Sequence, residues 1–113
     1  DQRIFKLTPH FLSYTLSKTG LGTLTKVSAM KFAPNVRVNG IAPGPTLKNK
    51  RQTEKHFKKQ WKATLLSKKV DLKNITNTVK FLIDNDNVTG QIIPVDSGQS
   101  LAWVTPDIIN IKE

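Results

Sequence analysis

The sequence has 113 residues, a formal net charge of +10 and no cysteine. Its length sets one domain as the upper limit, and the lack of cysteine excludes a disulfide framework and a thiolate metal site. No apolar run approaches the length of a membrane span, so we expect a cytoplasmic protein without membrane contact.

Much of the positive charge lies between residues 48 and 73, where ten lysines and arginines face only Glu54 and Asp71. Such a surface would attract nucleic acid without sequence preference. However, no aromatic interleaving and no nucleic-acid motif accompanies the charge. We therefore interpret the stretch as a solvated, lysine-rich surface and do not expect nucleic acid as a partner.

A long first helix is predicted from Thr8 to about Phe32-Ala33. Thr8 would cap the helix and Pro9 would take its first position, while the Pro34-Asn35 pair ends it. The apolar residues cover a wide arc, which predicts burial on two sides. Gly20 and Gly22 are either close-approach positions or tolerated substitutions.

Tyr14 and Lys18 lie four residues apart in this helix, so they share one face. An ammonium close to a phenol favours the phenolate, and this makes a tyrosine a usable proton donor and acceptor. The spacing alone is weak, because Tyr-x-x-x-Lys recurs by chance. It becomes informative because a β-branched strand and a Pro-Gly loop come after it in the chain.

Val36 to Ala42 is predicted to form a short buried strand of a parallel sheet. Pro43-Gly44-Pro45 ends the strand, and Thr46 comes next. Ligands of open α/β sheets bind beyond the carboxyl ends of the strands. The loop therefore falls where a ligand is expected.

Two more helices and a strand are predicted downstream. Arg51 to Leu66 has an amphipathic pattern in which Phe57, Trp61 and Leu65 recur every four residues. Asp71 is predicted to cap a helix that ends at Asp84. A turn at residues 85–87 then leads into a last strand, Gln91 to Val95, which Asp96-Ser97-Gly98 closes.

His10 and His56 lack a second ligand at metal spacing, so we propose no metal site. The sequence also has no Ser/His/Asp constellation and no pair of general-acid carboxylates.

Three blocks of sequence together resemble the C-terminal half of a short-chain dehydrogenase/reductase. They are Tyr14-Thr15-Leu16-Ser17-Lys18, the run from Val36 to Pro45, and the run from Val88 to Gln99. The resemblance covers residues 1–103. It implies a partial domain with an active-site region (1–47), a substrate lid (48–70), a last helix and strand (71–103) and a tail (104–113).

Asp1 narrows this resemblance. Most members of the family have a serine at the position thirteen residues before the tyrosine, whereas this chain has Asp1. An aspartate there resembles the pteridine reductase-like branch, which includes dihydromonapterin and dihydrofolate reductases. Asp1 would then orient a pterin ring or relay a proton to it; alternatively, the chain merely begins with aspartate.

The glycine-rich turn with which the family opens is missing from these 113 residues. The implied fold class is therefore α/β, the C-terminal portion of a Rossmann-like doubly wound parallel sheet without its N-terminal dinucleotide-binding strands. We expect a fragment, a separately encoded half or a truncated relic. NADP(H) or NAD(H) would be bound mostly by the missing N-terminal half.

The resemblance also implies roles for individual residues. Tyr14 would give a proton to a carbonyl or pterin-like C=N substrate, and Lys18 would assist it and bind the nicotinamide ribose. The loop formed by Pro43, Gly44, Pro45 and Thr46 would border the nicotinamide.

The resemblance implies two partners as well: a complementing N-terminal half, and a second copy of the chain bound through the Tyr14 helix. The alternative is a non-enzymatic remnant or an oligomerising or basic binding module.

Overall fold

The structure is a computed structural model that describes residues 2–109. It contains helices α1 (Leu12–Phe32), α2 (Glu54–Lys62) and α3 (Leu72–Asp84), strands β1 (Gly40–Pro43) and β2 (Ile92–Val95), and short 3₁₀ turns at Gln2–Ile4 and Gln99–Leu101. The strands pair in parallel, from Gly40 opposite Ile92 to Pro43 opposite Val95. Because parallel strands need a crossover, α2 and α3 lie between them. The predicted α/β class and parallel sheet are confirmed.

The two long helices cover opposite faces of this sheet. Gly40 faces Thr25 of α1, whose side chain lies within 3.7 Å of the position of a Cβ at Gly40. Ile41 lies next in the strand and therefore points to the other face, where it lines a groove with Val79 and Leu82 of α3. The sheet thus holds α1 and the Pro43–Thr46 loop in fixed relation.

Helix α1 begins later than predicted. Phe11 precedes its first residue with a left-handed φ of 58°, and no side chain caps the helix. Thr8 instead accepts a long 3.4 Å bond from the His10 N–H. The prediction of a Thr8 cap and of Pro9 at the first helical position is therefore wrong, because a left-handed residue separates them from the helix. The predicted end at Phe32 is confirmed.

Burial along α1 follows a single line of small residues: Thr15, Gly22 and Ala29. This spacing of seven residues places them on one face. A Cβ at Gly22 would lie 2.9 Å from Ile4 Cγ2, whereas a Cβ at Gly20 would meet nothing within 4 Å. Gly22 is therefore a close-approach position and Gly20 is not. Within the described residues of the single chain, only this side of α1 is buried, and burial of a second side against another copy stays a prediction.

The first predicted strand is shorter than expected, since residues 38–39 join residues 88–91 mainly through side chains, with one backbone bond from Gly90 N–H to Val38 O (2.8 Å). Val38 N–H donates to Thr89 Oγ1 (3.1 Å). Asn39 donates through its amide to Val88 O (2.8 Å) and accepts from Gln91 N–H (3.0 Å). Asn39 thereby fixes the turn before β2. Strand propensity gave no sign of this arrangement.

Arg37 clamps the C-terminal end of α3. Its guanidinium donates to four backbone carbonyl oxygens at 2.7 to 3.3 Å, those of Leu82, Ile83, Asn85 and Val88. Helix C-termini leave carbonyls without partners and favour positive charge. The planar guanidinium therefore satisfies several of these acceptors at once and joins α3 to the entry of β1.

Replacing Arg37 by lysine should lower the free energy of unfolding by about 2 kcal/mol, because a compact ammonium cannot reach all four carbonyls. Urea unfolding of the chain measures this. Asp86→Asn is the matched control: Asp86 lies 3.9 Å from the guanidinium but is 93% exposed, so its loss should change stability by less than about 0.5 kcal/mol. Equal effects of the two substitutions would contradict the clamp.

Helix α2 is shorter than predicted, and α3 agrees with its prediction. Thr53 caps α2 by accepting from His56 N–H (3.1 Å), so the helix begins after Arg51. It ends at Lys62, short of the predicted Leu66. Asp71 caps α3 as predicted, by accepting from Lys73 N–H (2.9 Å).

The apolar core is small for a chain of this length. Within residues 2–109 the buried hydrophobic residues are Ala29, Ala42, Phe57 and Val70. Large apolar side chains of α1 such as Leu16, Leu24 and Met30 remain exposed. A domain of about this size ordinarily buries some two thirds of the surface that its unfolded chain exposes. The exposed α1 surface is therefore an unpartnered surface.

No helix within residues 2–109 has the length and apolar character needed to cross a membrane.

Candidate active site

Tyr14 and Lys18 lie on one face of α1, as their spacing predicts. The Lys18 ammonium is 5.4 Å from the centroid of the Tyr14 ring, a distance at which a cation is attracted to an aromatic face. Tyr14 is 45% exposed, so its ring is reachable. The helix thus presents a phenol and an ammonium together at the surface.

Tyr14 lines a cleft of about 590 Å³ whose other residues come from distant parts of the chain. The entire predicted loop borders the same cleft: Pro43, Gly44, Pro45 and Thr46. The cleft begins where β1 ends, the usual ligand position in open α/β sheets. The fold therefore brings together the tyrosine and the Pro-Gly loop, which are about thirty residues apart in the sequence.

Backbone hydrogen bonds hold the Pro43–Thr46 loop in place. They also determine which of its backbone N–H groups stay available to a ligand. Gly44 N–H donates to Val95 O (3.0 Å), and Pro45 O accepts from Val70 N–H (3.0 Å). The two prolines have no N–H. The backbone donors left in this part of the loop are those of Thr46 and Leu47, which reach no other described residue.

Thr46 adds a hydroxyl that donates to Gly44 O at 3.0 Å. Because that proton is used within the loop, the hydroxyl oxygen can only accept further hydrogen bonds. A carboxamide can therefore form two kinds of hydrogen bond with the loop: its oxygen accepts from a backbone N–H, and its N–H donates to the Thr46 hydroxyl oxygen.

Asp96 packs against the loop at Gly44. Its buried carboxylate accepts from Gly98 N–H and Ser100 N–H, each at 2.8 Å. Burial by itself raises the pKa of the Asp96 carboxyl, but the hydrogen bonds from Ser100 and Gly98 outweigh it and hold the pKa below its ordinary value. Asp96 is therefore an ionised, fixed element of the turn after β2.

Other cleft residues were not identified from the sequence. Phe11 and Phe57 supply apolar walls, while Arg51, Gln52 and Gln60 supply polar groups. Phe57 belongs to the predicted amphipathic stripe of α2, whereas Trp61 of the same stripe does not line the cleft. The periodicity predicts the apolar side of α2, but it does not indicate which of its two aromatic rings lines the cleft.

Asp1, the third predicted catalytic residue, lies outside the described residues. Within residues 2–109, no group of three or more histidine, aspartate or glutamate side chains lies close enough to hold a metal ion.

The residues present fit one end of a nicotinamide dinucleotide. The unused N–H groups of Thr46 and Leu47 and the acceptor oxygen of Thr46 suit a carboxamide, and they border the cleft that contains Tyr14. A glycine-rich turn that would hold a pyrophosphate is absent from the 113 residues. Within the described residues, the groups that suit such a cofactor are those for its nicotinamide end.

Comparison with known proteins identifies the family. A family model described as enoyl-(acyl carrier protein) reductase matches residues 4–100. A short-chain dehydrogenase/reductase homolog of Bacillus subtilis is 34% identical over 91 residues, which cover 80% of this chain and 70% of that protein. The chain belongs to the short-chain dehydrogenase/reductase family.

The predicted resemblance to the pteridine reductase-like branch is confirmed as well. A dihydromonapterin reductase of Escherichia coli is 31% identical over 90 residues. The FolM alternative dihydrofolate reductase 1 of Brucella suis, solved in complex with NADP, is 47% identical and superimposes with a TM-score of 0.91 over 95% of this chain. The corresponding Brucella canis protein is 48% identical, with a TM-score of 0.92.

The chain spans only part of these relatives. It covers 38% of the length of the E. coli protein and 43% of the B. suis protein. The described helices and the two-stranded sheet are accordingly a portion of the Rossmann-like fold, as predicted.

Proposed function

We propose that this chain is the catalytic-tyrosine portion of an NAD(P)H-dependent reductase that acts on a carbonyl or pterin-like C=N substrate. The observation that carries the proposal is the shared cleft of Tyr14 and the Pro43–Thr46 loop, with the Lys18 ammonium beside the tyrosine ring. The likeness to dihydromonapterin reductase and to FolM alternative dihydrofolate reductase 1 supports the pterin-like substrate.

When bound, NAD(P)H would supply the hydride, and Lys18 and the Pro43–Thr46 loop are the residues of this chain that would hold its nicotinamide end. The Tyr14 hydroxyl donates a proton to the substrate oxygen or nitrogen that gains negative charge. The Lys18 ammonium stabilises the phenolate that remains. We also propose that Asp1 orients the substrate ring or relays a proton to a ring nitrogen.

The reaction requires the remainder of the domain, on the same polypeptide or on a separate one. The missing glycine-rich turn and the unpartnered apolar surface of α1 support this requirement. The N-terminal half would supply the pyrophosphate site and cover part of the exposed surface. A second copy of the chain, docked through α1, would cover more of it.

A reconstitution experiment tests the proposal. The part of the B. suis relative that lies outside its region of likeness to this chain, which we propose to be its N-terminal half, is co-expressed with the 113-residue chain; we call this pair the reconstituted reductase. We expect NADPH oxidation with dihydrofolate or dihydromonapterin by the pair, and none by either part alone.

The same experiment weighs the alternative of an oligomerising module that has no catalytic role, which the exposed α1 surface also favours. That alternative predicts self-association of the 113-residue chain and no turnover after the N-terminal half is added. NADPH oxidation by the 113-residue chain on its own would contradict the requirement for the missing half.

A further inference from the structure

The charge of the cleft has a single sign among its described residues. Its charged lining residues are Arg3 and Arg51, and no described aspartate or glutamate lines it. The other polar lining residues besides Tyr14 and Thr46 are amides, namely Gln2, Asn49, Gln52, Gln60 and Gln99. The charged side chains among these described lining residues are therefore cations, which favour an anionic ligand.

The segment around Arg51 adds to this positive potential. Residues 48–62 contain seven lysines and arginines but one acidic residue, Glu54. The Glu54 carboxylate lies 3.4 Å from the Lys48 ammonium. No ion pair joins Arg51 to another described residue, and a guanidinium binds carboxylates and phosphates through paired N–H groups.

The backbone holds Arg51 at a defined place on the rim of the cleft. Arg51 N–H donates to Asn49 Oδ1 (2.7 Å), and Gln52 N–H donates to Asn49 O (3.1 Å). The Gln52 amide in turn donates to Gln60 Oε1 of α2 (2.9 Å). The turn that carries Arg51 is therefore tied to α2, whose Phe57 forms part of the same cleft.

We propose that the substrate of this cleft carries an anionic tail and that Arg51 binds it. This inference rests on the proposed function and adds the substrate class. A flat reducible ring would lie near Tyr14 and Phe57, with its tail directed to the rim. The p-aminobenzoylglutamate tail of dihydrofolate ends in two carboxylates, whereas the short hydroxylated tail of dihydromonapterin is neutral. The two tails also differ in size, so the charge is tested by how Arg51→Gln changes their relative affinity.

Equilibrium binding to the reconstituted reductase tests the inference. The quantity measured is the Kd of dihydromonapterin divided by the Kd of dihydrofolate. Arg51→Gln should lower this ratio about tenfold at low salt, the size expected for one lost charge-assisted contact. The effect should shrink as salt is added, because an exposed cation is screened.

Lys50→Gln is the matched control, since it removes the same charge from the neighbouring residue, which does not line the cleft. It should leave the ratio unchanged. A ratio unchanged by Arg51→Gln would overturn the inference. An Arg51→Gln protein that loses affinity for NADPH alone would also overturn it, by assigning the anion to the cofactor phosphates.

Because binding is measured without turnover, a failure of the proposed reductase function can be distinguished from a failure of the anionic-tail proposal. A pair that binds dihydrofolate through Arg51 and does not reduce it contradicts the proposed function and supports the anionic tail. If the reconstituted reductase reduces both substrates and Arg51→Gln changes neither Kd, the result contradicts the anionic tail only.

Discussion

Replacing Tyr14 by phenylalanine should lower the kcat of the reconstituted reductase by about 10²- to 10⁴-fold, the range ordinarily lost with a positioned proton donor. Phenylalanine keeps the ring that lies 5.4 Å from the Lys18 ammonium, so the packing of α1 should change little. The substitution removes the hydroxyl that would donate the proton. The loss should therefore appear in kcat, while the thermal midpoint stays nearly constant.

Ser17→Ala is the control for this substitution. Ser17 is an exposed residue of the same helix and does not line the cleft. Its hydroxyl should be dispensable, with kcat within about twofold of the parent, as for most surface changes. If Tyr14→Phe kept more than half of the parent kcat, the proton would have to come from another group, and the proposed role of Tyr14 would be wrong.

Much of the site could be predicted because its parts depend on local rules. Tyr14 and Lys18 meet through helix periodicity alone. The Pro43–Thr46 loop comes directly after a β-branched strand and therefore falls at a carboxyl edge of the sheet. Periodicity could not predict their meeting in one cleft. That expectation came from the family resemblance, and the structure places both on the same cleft.

The parts that were missed depend on contacts between segments distant in the chain. Arg37 looks like a strand residue in the sequence, yet it is the side chain that closes the end of α3. Asn39 likewise replaces ladder bonds by side-chain bonds to residues about fifty positions away. The late start of α1 results from the left-handed φ of Phe11, which no propensity indicates for an aromatic residue.

The resemblance implies that residues 48–70 cover the substrate, but the position of Arg51 at the cleft rim was missed for a similar reason. The amphipathic pattern puts Arg51 inside a helix, where it would be one more solvated cation. The cap at Thr53 starts that helix later and leaves Arg51 in a turn that borders the cleft. The position of the Thr53 cap therefore decides whether Arg51 is a solvated helix residue or a residue of the cleft rim.

Gly44→Ala should unfold or distort the site, because the new methyl group has no space. A Cβ at residue 44 would lie 2.6 Å from Asp96 Cα and 2.9 Å from Asp96 O. These are backbone atoms, and the Asp96 carboxylate is itself fixed by Gly98 and Ser100. We expect a loss of about 3 kcal/mol in the free energy of unfolding, the upper end of ordinary overpacking.

The loop should also shift relative to Tyr14, because Gly44 N–H is bonded to Val95 O beside Asp96. A displacement of about 1 Å at a reacting centre can reduce a rate by about 10²-fold. The urea midpoint and the kcat of the reconstituted reductase should therefore both fall. Gly20→Ala is the control, since nothing lies within 4 Å of its Cβ and alanine favours a helix by about 0.5–1 kcal/mol over glycine. Both substitutions add one methyl group, but Gly44→Ala should lower the free energy of unfolding and Gly20→Ala should raise it. Equal unfolding midpoints would show that the loop does not press against Asp96.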